Sequence, residues 1–253
     1  MIFTSSKVQD IRQTFIDLFR NKETVIDRTG AQVVEIVNAS FIANEDTIFG
    51  TANDDWNERE LEWYLSRSRN VNDIPPPIPK IWLSVADENG FINSNYGWCI
   101  FSFENGNQFN RCYNALAKNP DTRQAIMIYN RPSMHNDAVE NGRQDFMCCM
   151  NVQYFIRNNE LISIVNFRSN DAVFGYKGDL FWNKYVTDRL YNQLLINYPL
   201  LQKGPIIWNA ASLHVYSRHF HLIEKELKET IIRNAKAIRN MTTCFMEENN
   251  STN

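Results

Sequence analysis

Apolar residues recur along this chain at helical and at strand spacing, and the two patterns divide it into elements. Val8, Ile11, Phe15, Leu18 and Phe19 fall near helical spacing and predict an amphipathic helix over residues 7–20. Val33 to Ala43 reads as a strand, and a second helix is expected from Trp56 to Arg67. Pro75 to Pro79 (Pro-Pro-Pro-Ile-Pro) then forces an extended loop. Gln108 to Lys118 predicts a helix and Ala125 to Tyr129 a short buried strand. Two strands flank Asn158-Asn159, a pair suited to a tight turn. Leu180 to Leu195 predicts a helix, Ile206 to Tyr216 a strand, and His221 to Ile238 a last helix. Strands and helices mix without regular βαβ alternation, so the expected class is α/β in the broad sense and α+β-like in its order.

Composition narrows the function classes. The 253 residues suit one catalytic domain, expected over residues 1–246, with a polar tail at 247–253. A 43% hydrophobic content can build a sizeable core, which excludes intrinsic disorder. A net charge of −3 gives no electrostatic reason to bind nucleic acid, so positive charge that matters must be gathered in a pocket. No apolar stretch approaches the ~20 residues of a membrane span, and the first residues lack the pattern of a secretory signal. Cys99, Cys112, Cys148, Cys149 and Cys244 are odd in number and irregular in spacing, which predicts reduced thiols and a cytoplasmic location.

The hairpin carries the first candidate chemistry. If Asn158 and Asn159 form a two-residue turn, Arg157 faces Glu160. Counting back along both strands sets Cys148 opposite Ser169 and Cys149 opposite Arg168, unless a bulge shifts the register. A thiol beside a guanidinium has a route to a lowered pKa; the alternative is a small buried hydrophobe. Arg168, Ser169 and Asn170 in a row supply the donors of an anion site.

Glu60 is the second candidate. Helical steps of about 100° place it among Trp56, Trp63 and Tyr64, with Glu58 and Glu62 on the other side. A carboxyl there has a raised pKa suited to proton transfer, or pairs with an arginine such as Arg67. Asp179, before a helical run, reads alone as an N-cap. His214, His219 and His221 lack zinc-motif spacing, so no metal is expected, and no Gly-rich phosphate loop is present.

These residues fall in the order of a known signature. Asp145-Phe-Met-Cys148-Cys149-Met-Asn-Val-Gln-Tyr154 resembles the nucleophile strand of the thymidylate synthase superfamily. Arg168-Ser169-Asn170-Asp171-Ala-Val-Phe-Gly175-Tyr-Lys-Gly-Asp179 resembles its Arg-Ser-x-Asp-x-x-Leu-Gly-x-Pro-Phe-Asn block. His214-Val-Tyr216 resembles its His-x-Tyr, Glu60-Leu-Glu-Trp63 its Glu-Leu-Leu-Trp, and Arg28-Thr29-Gly30 its Arg-Thr-Gly. Ser94-Asn95-Tyr96-Gly97-Trp98, Arg131-Pro-Ser-Met134 and Ser212-Leu-His-Val-Tyr-Ser-Arg-His219 are similar to the deoxycytidylate (dCMP) hydroxymethylase branch of T-even-type phages. Gln124 stands where the family has a second arginine, and Cys149 where synthases have histidine.

The resemblance implies a mixed β-sheet flanked by helices, dimerising through the sheet. It implies that Cys148 adds to C6 of the pyrimidine and that C5 then takes a one-carbon unit from 5,10-methylenetetrahydrofolate, the co-substrate. Water, positioned by Glu60, would complete a hydroxymethyl group. Arg28, Arg168 and Ser169 are implied phosphate ligands, with Arg123 reaching in from the partner subunit and Asn170 beside the nucleotide. His214 and Tyr216 would hold the sugar; Trp82, Asp171 and Tyr96 would lie on the folate side. Asp179 replaces the synthases' asparagine, and a carboxyl answers cytosine's N4 amino group and N3 where an amide answers uracil. The alternatives are a CMP hydroxymethylase, a synthase of altered base choice, and a non-catalytic nucleotide-binding subunit of a phage nucleotide-synthesis complex. Other enzymes of such a complex would be its further partners.

Overall fold

In the computed structural model, residues 5–232 are described. The chain opens with helix α1 (Val8–Arg20), whose buried stripe Val8, Ile11, Phe15 and Ile16 follows the predicted spacing. Strands β1 (Val25–Ile26) and β2 (Gln32–Ile42) come next, then helix α2 (Asp54–Ser66). Three short or medium helices follow: α3 (Lys80–Val85), α4 (Tyr96–Phe101) and α5 (Gln108–Lys118). After β3 (Ile126–Ile128) and α6 (Met134–Glu140) come the hairpin strands β4 (Cys149–Arg157) and β5 (Glu160–Phe167). The two-residue strand β6 (Asn170–Asp171), helix α7 (Gly175–Leu194) and strand β7 (Gln202–Tyr216) complete the set, and residues 220–232 are again helical.

The strands form one mixed sheet in the order β1-β2-β7-β5-β4-β3, with β6 also on β7. Pairs β5–β7 and β6–β7 are parallel and the others antiparallel. Because β5 and β7 run together and β4 runs against them, the ends of β5 and β7 and the start of β4 share one edge. That edge carries Cys148, Arg168 and Ser169, and the end of β7 carries His214 and Tyr216. No helix among the described residues is long and apolar enough to cross a membrane. The expected tail at 247–253, Cys244 and the end of the expected last helix lie outside the described residues.

Asn158 and Asn159 take φ of 51° and 63°, as a two-residue hairpin turn of the mirror type requires. Arg157 pairs with Glu160 as expected, and the register holds back to Asn151–Asn166. There it shifts: Met150 is an extra residue, and Cys149 pairs with Phe167 rather than with Arg168. Cys148 consequently lies beside Arg168, whose backbone N donates to the Cys148 carbonyl at 3.0 Å. The extra residue is held because the Met150 carbonyl accepts from Tyr129 N at 2.9 Å, a demand of the neighbouring strand segment rather than of the hairpin.

Helix α7 starts at Gly175, five residues before the expected Leu180. The Asp171 carboxylate accepts from Val173 N (2.7 Å) and Phe174 N (3.2 Å), which turns the chain into the helix earlier. Glycines 175 and 178 are poor helix formers and hid this turn from the pattern. Asp179 therefore lies inside the helix, and its reading as an N-cap is replaced.

Helix α2 approaches α4 through Gly97, where a Cβ would sit 1.8 Å from the Tyr64 carbonyl oxygen. Nothing but glycine lets these two backbones touch, and they carry Glu60 and Tyr96. Gly97→Ala should therefore destabilise the fold by about 2 kcal/mol or more, read as a lower urea midpoint. An unchanged midpoint would mean that the helices part at no cost.

Candidate active site

At the shared sheet edge a cleft opens in two adjoining chambers of about 600 and 620 Å³. Cys148, Tyr96, Trp82, Ser169, Asp171 and Arg218 line both. The first chamber adds Arg28, Arg168, His214 and Tyr216; the second adds Glu60, Asn170, Asp179 and the apolar faces of Trp56 and Phe174. Of the residues singled out from the sequence, only Arg123 is absent from these walls. It is exposed just before β3, where its carbonyl accepts from Gln153 Nε2 at 2.8 Å.

Cys148, a bend residue just ahead of β4, meets the cleft, while Cys149 opens the strand and faces the core. Cys149 is fully buried in the core, and Cys148 is half-buried at the junction of the chambers. The Arg168 guanidinium is clamped to the chain ahead of the thiol: Nε donates to Met147 O at 3.1 Å and Nη2 to Phe146 O. Nη2 also lies 3.6 Å from Cys148 Sγ. The expected lowering of the thiol pKa does not follow. Burial pushes Cys148 up, and the pull of Arg168 opposes this without overcoming it, with Asp179 and Asp145 adding to the rise.

The helical wheel placed Glu60 correctly. It is buried on the inner face of α2 with Trp63 and beside the Tyr64 hydroxyl, no arginine pairs with it among the described residues, and Arg67 is exposed at the helix end. The arginine-paired alternative is thereby removed. Burial first, and Asp179 second, push Glu60 up to about 8. Asp179 Oδ1 accepts from Tyr96 OH at 3.1 Å and Oδ2 from Asn170 Nδ2 at 2.8 Å. Burial outweighs those two bonds and raises it to about 7, so near neutral pH this carboxyl exists in both forms. Tyr96, expected on the folate side, lines both chambers and donates to Asp179 from there.

In the first chamber, burial lowers the pKa of His214, which keeps its ring neutral. Its edge meets the Tyr216 ring at 4.9 Å, and Ser212 Oγ lies 3.4 Å from Nδ1. Arg28 sits in a loop tied by Asp27, whose Oδ1 accepts from Thr29 N (2.8 Å), Thr29 Oγ1 (2.6 Å) and Ala31 N (2.9 Å). Arg28, Arg168 and Arg218 give this chamber three cations, the electrostatics an anion needs. Among the described residues no three His, Cys, Asp or Glu side chains converge as a metal site requires.

Sequence reasoning missed Arg218 and Asp145. Arg218 lies over the Tyr216 ring at 4.2 Å and 3.7 Å from Asp171; its place two residues beyond Tyr216 was the available signal. Asp145 accepts from Asn93 N (2.6 Å) and Ser94 N (2.8 Å), tying the segment before Cys148 to the one before α4. That long-range pairing has no local signature.

The thymidylate synthase family model matches residues 13–247. The chain is 50% identical to the deoxycytidylate 5-hydroxymethyltransferase of Enterobacteria phage T6 over 226 residues, covering 88% of this chain and 92% of that protein. Identity to the deoxycytidylate 5-hydroxymethyltransferase of Enterobacteria phage T4 is 49% with the same coverage. The fold superposes on the thermostable thymidylate synthase A from Bacillus subtilis with a TM-score of 0.61 at 20% identity, over 88% of this chain and 84% of that one.

A raised carboxyl pKa has a consequence for stability. Glu60 moves from 4.5 to about 8, so the folded chain prefers the protonated acid. The stability this contributes is fully present below the unfolded pKa and is lost as pH rises through the folded one. Urea melts between about pH 5 and pH 9 should show wild type losing a few kcal/mol relative to Glu60→Gln. Parallel curves would show that Glu60 ionises freely in the fold.

Proposed function

The chain belongs to the thymidylate synthase family, and we infer that it is a deoxycytidylate 5-hydroxymethyltransferase. It converts dCMP, 5,10-methylenetetrahydrofolate and water to 5-hydroxymethyl-dCMP and tetrahydrofolate. The observation that carries the base choice is the Asp179 carboxyl, held by Asn170 and Tyr96 and poised near neutrality. Such a group accepts from the N4 amino group through one oxygen and shares a proton with N3 through the other. Uracil offers O4 and N3–H there, and a carboxylate repels O4.

The cleft divides the work. Arg28, Arg168 and Ser169 bind the phosphate in the cationic chamber, and His214 and Tyr216 hold the 3′-hydroxyl. The base then lies against Asp179 with C6 toward Cys148. Asp179 draws electron density to N3 as the sulfur adds to C6, which offsets the thiol's raised pKa. The second chamber fits the folate: Trp56, Trp82 and Phe174 offer flat apolar faces and Asp171 a carboxylate for ring nitrogens. Bound there, methylenetetrahydrofolate supplies the one-carbon unit. Glu60, across the chamber, positions the water that completes the hydroxymethyl group.

Arg123 is supplied to the phosphate site of a partner subunit, and the active unit is a homodimer formed through the sheet. Its exposure outside its own cleft supports this assignment. Mixing inactive Cys148→Ser and Arg123→Ala chains should then restore activity, since one site of each mixed dimer has both native groups. Verified chain exchange without activity would refute the shared site.

Asp179→Asn should exchange dCMP turnover for dUMP turnover. A buried polar group left unpaired costs roughly 1–3 kcal/mol, so relative kcat/KM should shift by about 10–100-fold. The wild-type product, identified by mass, should be 5-hydroxymethyl-dCMP with no dihydrofolate absorbance. Dihydrofolate from the wild type would instead make the protein a synthase.

A further inference from the structure

Helices α2 and α7 cross beside the second chamber, and at the crossing α7 presents Gly178. A methyl group placed on Gly178 would lie 3.3 Å from Glu60 Oε2 and 3.9 Å from Asn57 Oδ1. Two oxygen acceptors thus face the bare α-carbon of Gly178, and any side chain there would press on Glu60. Asn57 is 4% exposed and Glu60 9%. Among the described residues Asn57 Oδ1 has no hydrogen-bond partner, whereas a buried carbonyl of this kind is almost always paired. Leaving it unpaired costs stability, and a leucine or alanine on this inner face would avoid that cost. The cost is offset if a hydrogen-bond donor occupies the site during turnover.

We propose that Asn57 and Gly178, with Glu60, form the cradle that holds the water consumed in hydroxymethyl formation. The inference deepens the proposed function and rests on it. Glycine at 178 keeps a side chain off Glu60, Asn57 Oδ1 accepts one hydrogen of the water, and Glu60 faces the other. Held at two points, the oxygen keeps a lone pair for the exocyclic methylene at C5. The new C–O bond forms as the methylene π pair moves into the ring and one proton of the water passes to Glu60, whose own proton has gone to the departing folate nitrogen in the first half. The displaced pair re-forms C5=C6 and expels Cys148 from C6 as thiolate. Asn57 and Gly178 are therefore needed for the second half of the reaction and not for the first.

The halves separate experimentally. Tritium release from C5-labelled dCMP reports every step up to loss of the C5 proton; product mass reports the fate of the methylene. With 2-mercaptoethanol present, a methylene that lacks its water is trapped as a thioether. Gly178→Ala fills the cradle, and Asn57→Val removes the acceptor without adding bulk. Each should keep tritium release within about 3-fold of wild type, lose about 10-fold or more in hydroxymethyl product, and yield thioether-dCMP. Tritium release and product falling together in both variants without thioether, or unchanged product in both, would overturn the assignment. The wild-type arm stands apart: dihydrofolate formation there would remove the parent reading, while 5-hydroxymethyl-dCMP there with parallel losses in the variants would remove only the cradle.

Discussion

Everything in the cleft is referred to one extra residue in an otherwise regular hairpin. Met150 lends its carbonyl to Tyr129, and the register of β4 against β5 slips by one. The slip exchanges the partner of Arg168 from the buried Cys149 to Cys148. The guanidinium can then close onto the Phe146 and Met147 carbonyls while staying 3.6 Å from the sulfur. Without it, strict alternation would turn Cys149, in place of Cys148, away from the core face of Val152 and Tyr154. Strand alternation sends each side chain to one face, so a single inserted residue decides which cysteine meets the cleft.

Around that point the site gathers groups that each dislike their surroundings. The Cys148 thiol, Asp179 and Glu60 all have their charged forms disfavoured by burial. Burial thus holds Glu60 and Cys148 toward their protonated forms and leaves Asp179 divided between both near neutral pH. That suits a reaction in which protons move, while Arg28 and Arg168 line the first chamber alone and Arg218 lines both. Close backbone packing makes the arrangement possible. Gly97 lets α2 touch α4, and Gly178 keeps a side chain off Glu60 where α2 crosses α7, so both helices that flank Glu60 approach through glycine.

Local pattern was enough to read most regular elements, because their burial is periodic. The α1 stripe, α5, the Asn158-Asn159 turn and the inward face of Glu60 each follow from spacing within a few residues. The ordered set of short motifs also carried the family and the base choice, since chemistry demands particular residue types: a thiol, a carboxyl in place of an amide, arginines for a phosphate. Asn170, His214 and Tyr216 were singled out by the same motifs, and all three line the cleft.

What the chain could not state locally depends on partners far away in sequence. The bulge answers to Tyr129, the early start of α7 to Asp171, and the tie from Asp145 to Asn93 and Ser94 spans about fifty residues. The pKa of Cys148 is of the same kind. Proximity to an arginine is visible in a hairpin register, but the desolvation that outweighs it exists only once the core has closed around the sulfur. Residue types and their order thus set the chemistry available to this protein. Tertiary packing decided which thiol meets the cleft and which way burial shifts its acids, because burial and long-range hydrogen bonds are properties of the assembled fold alone.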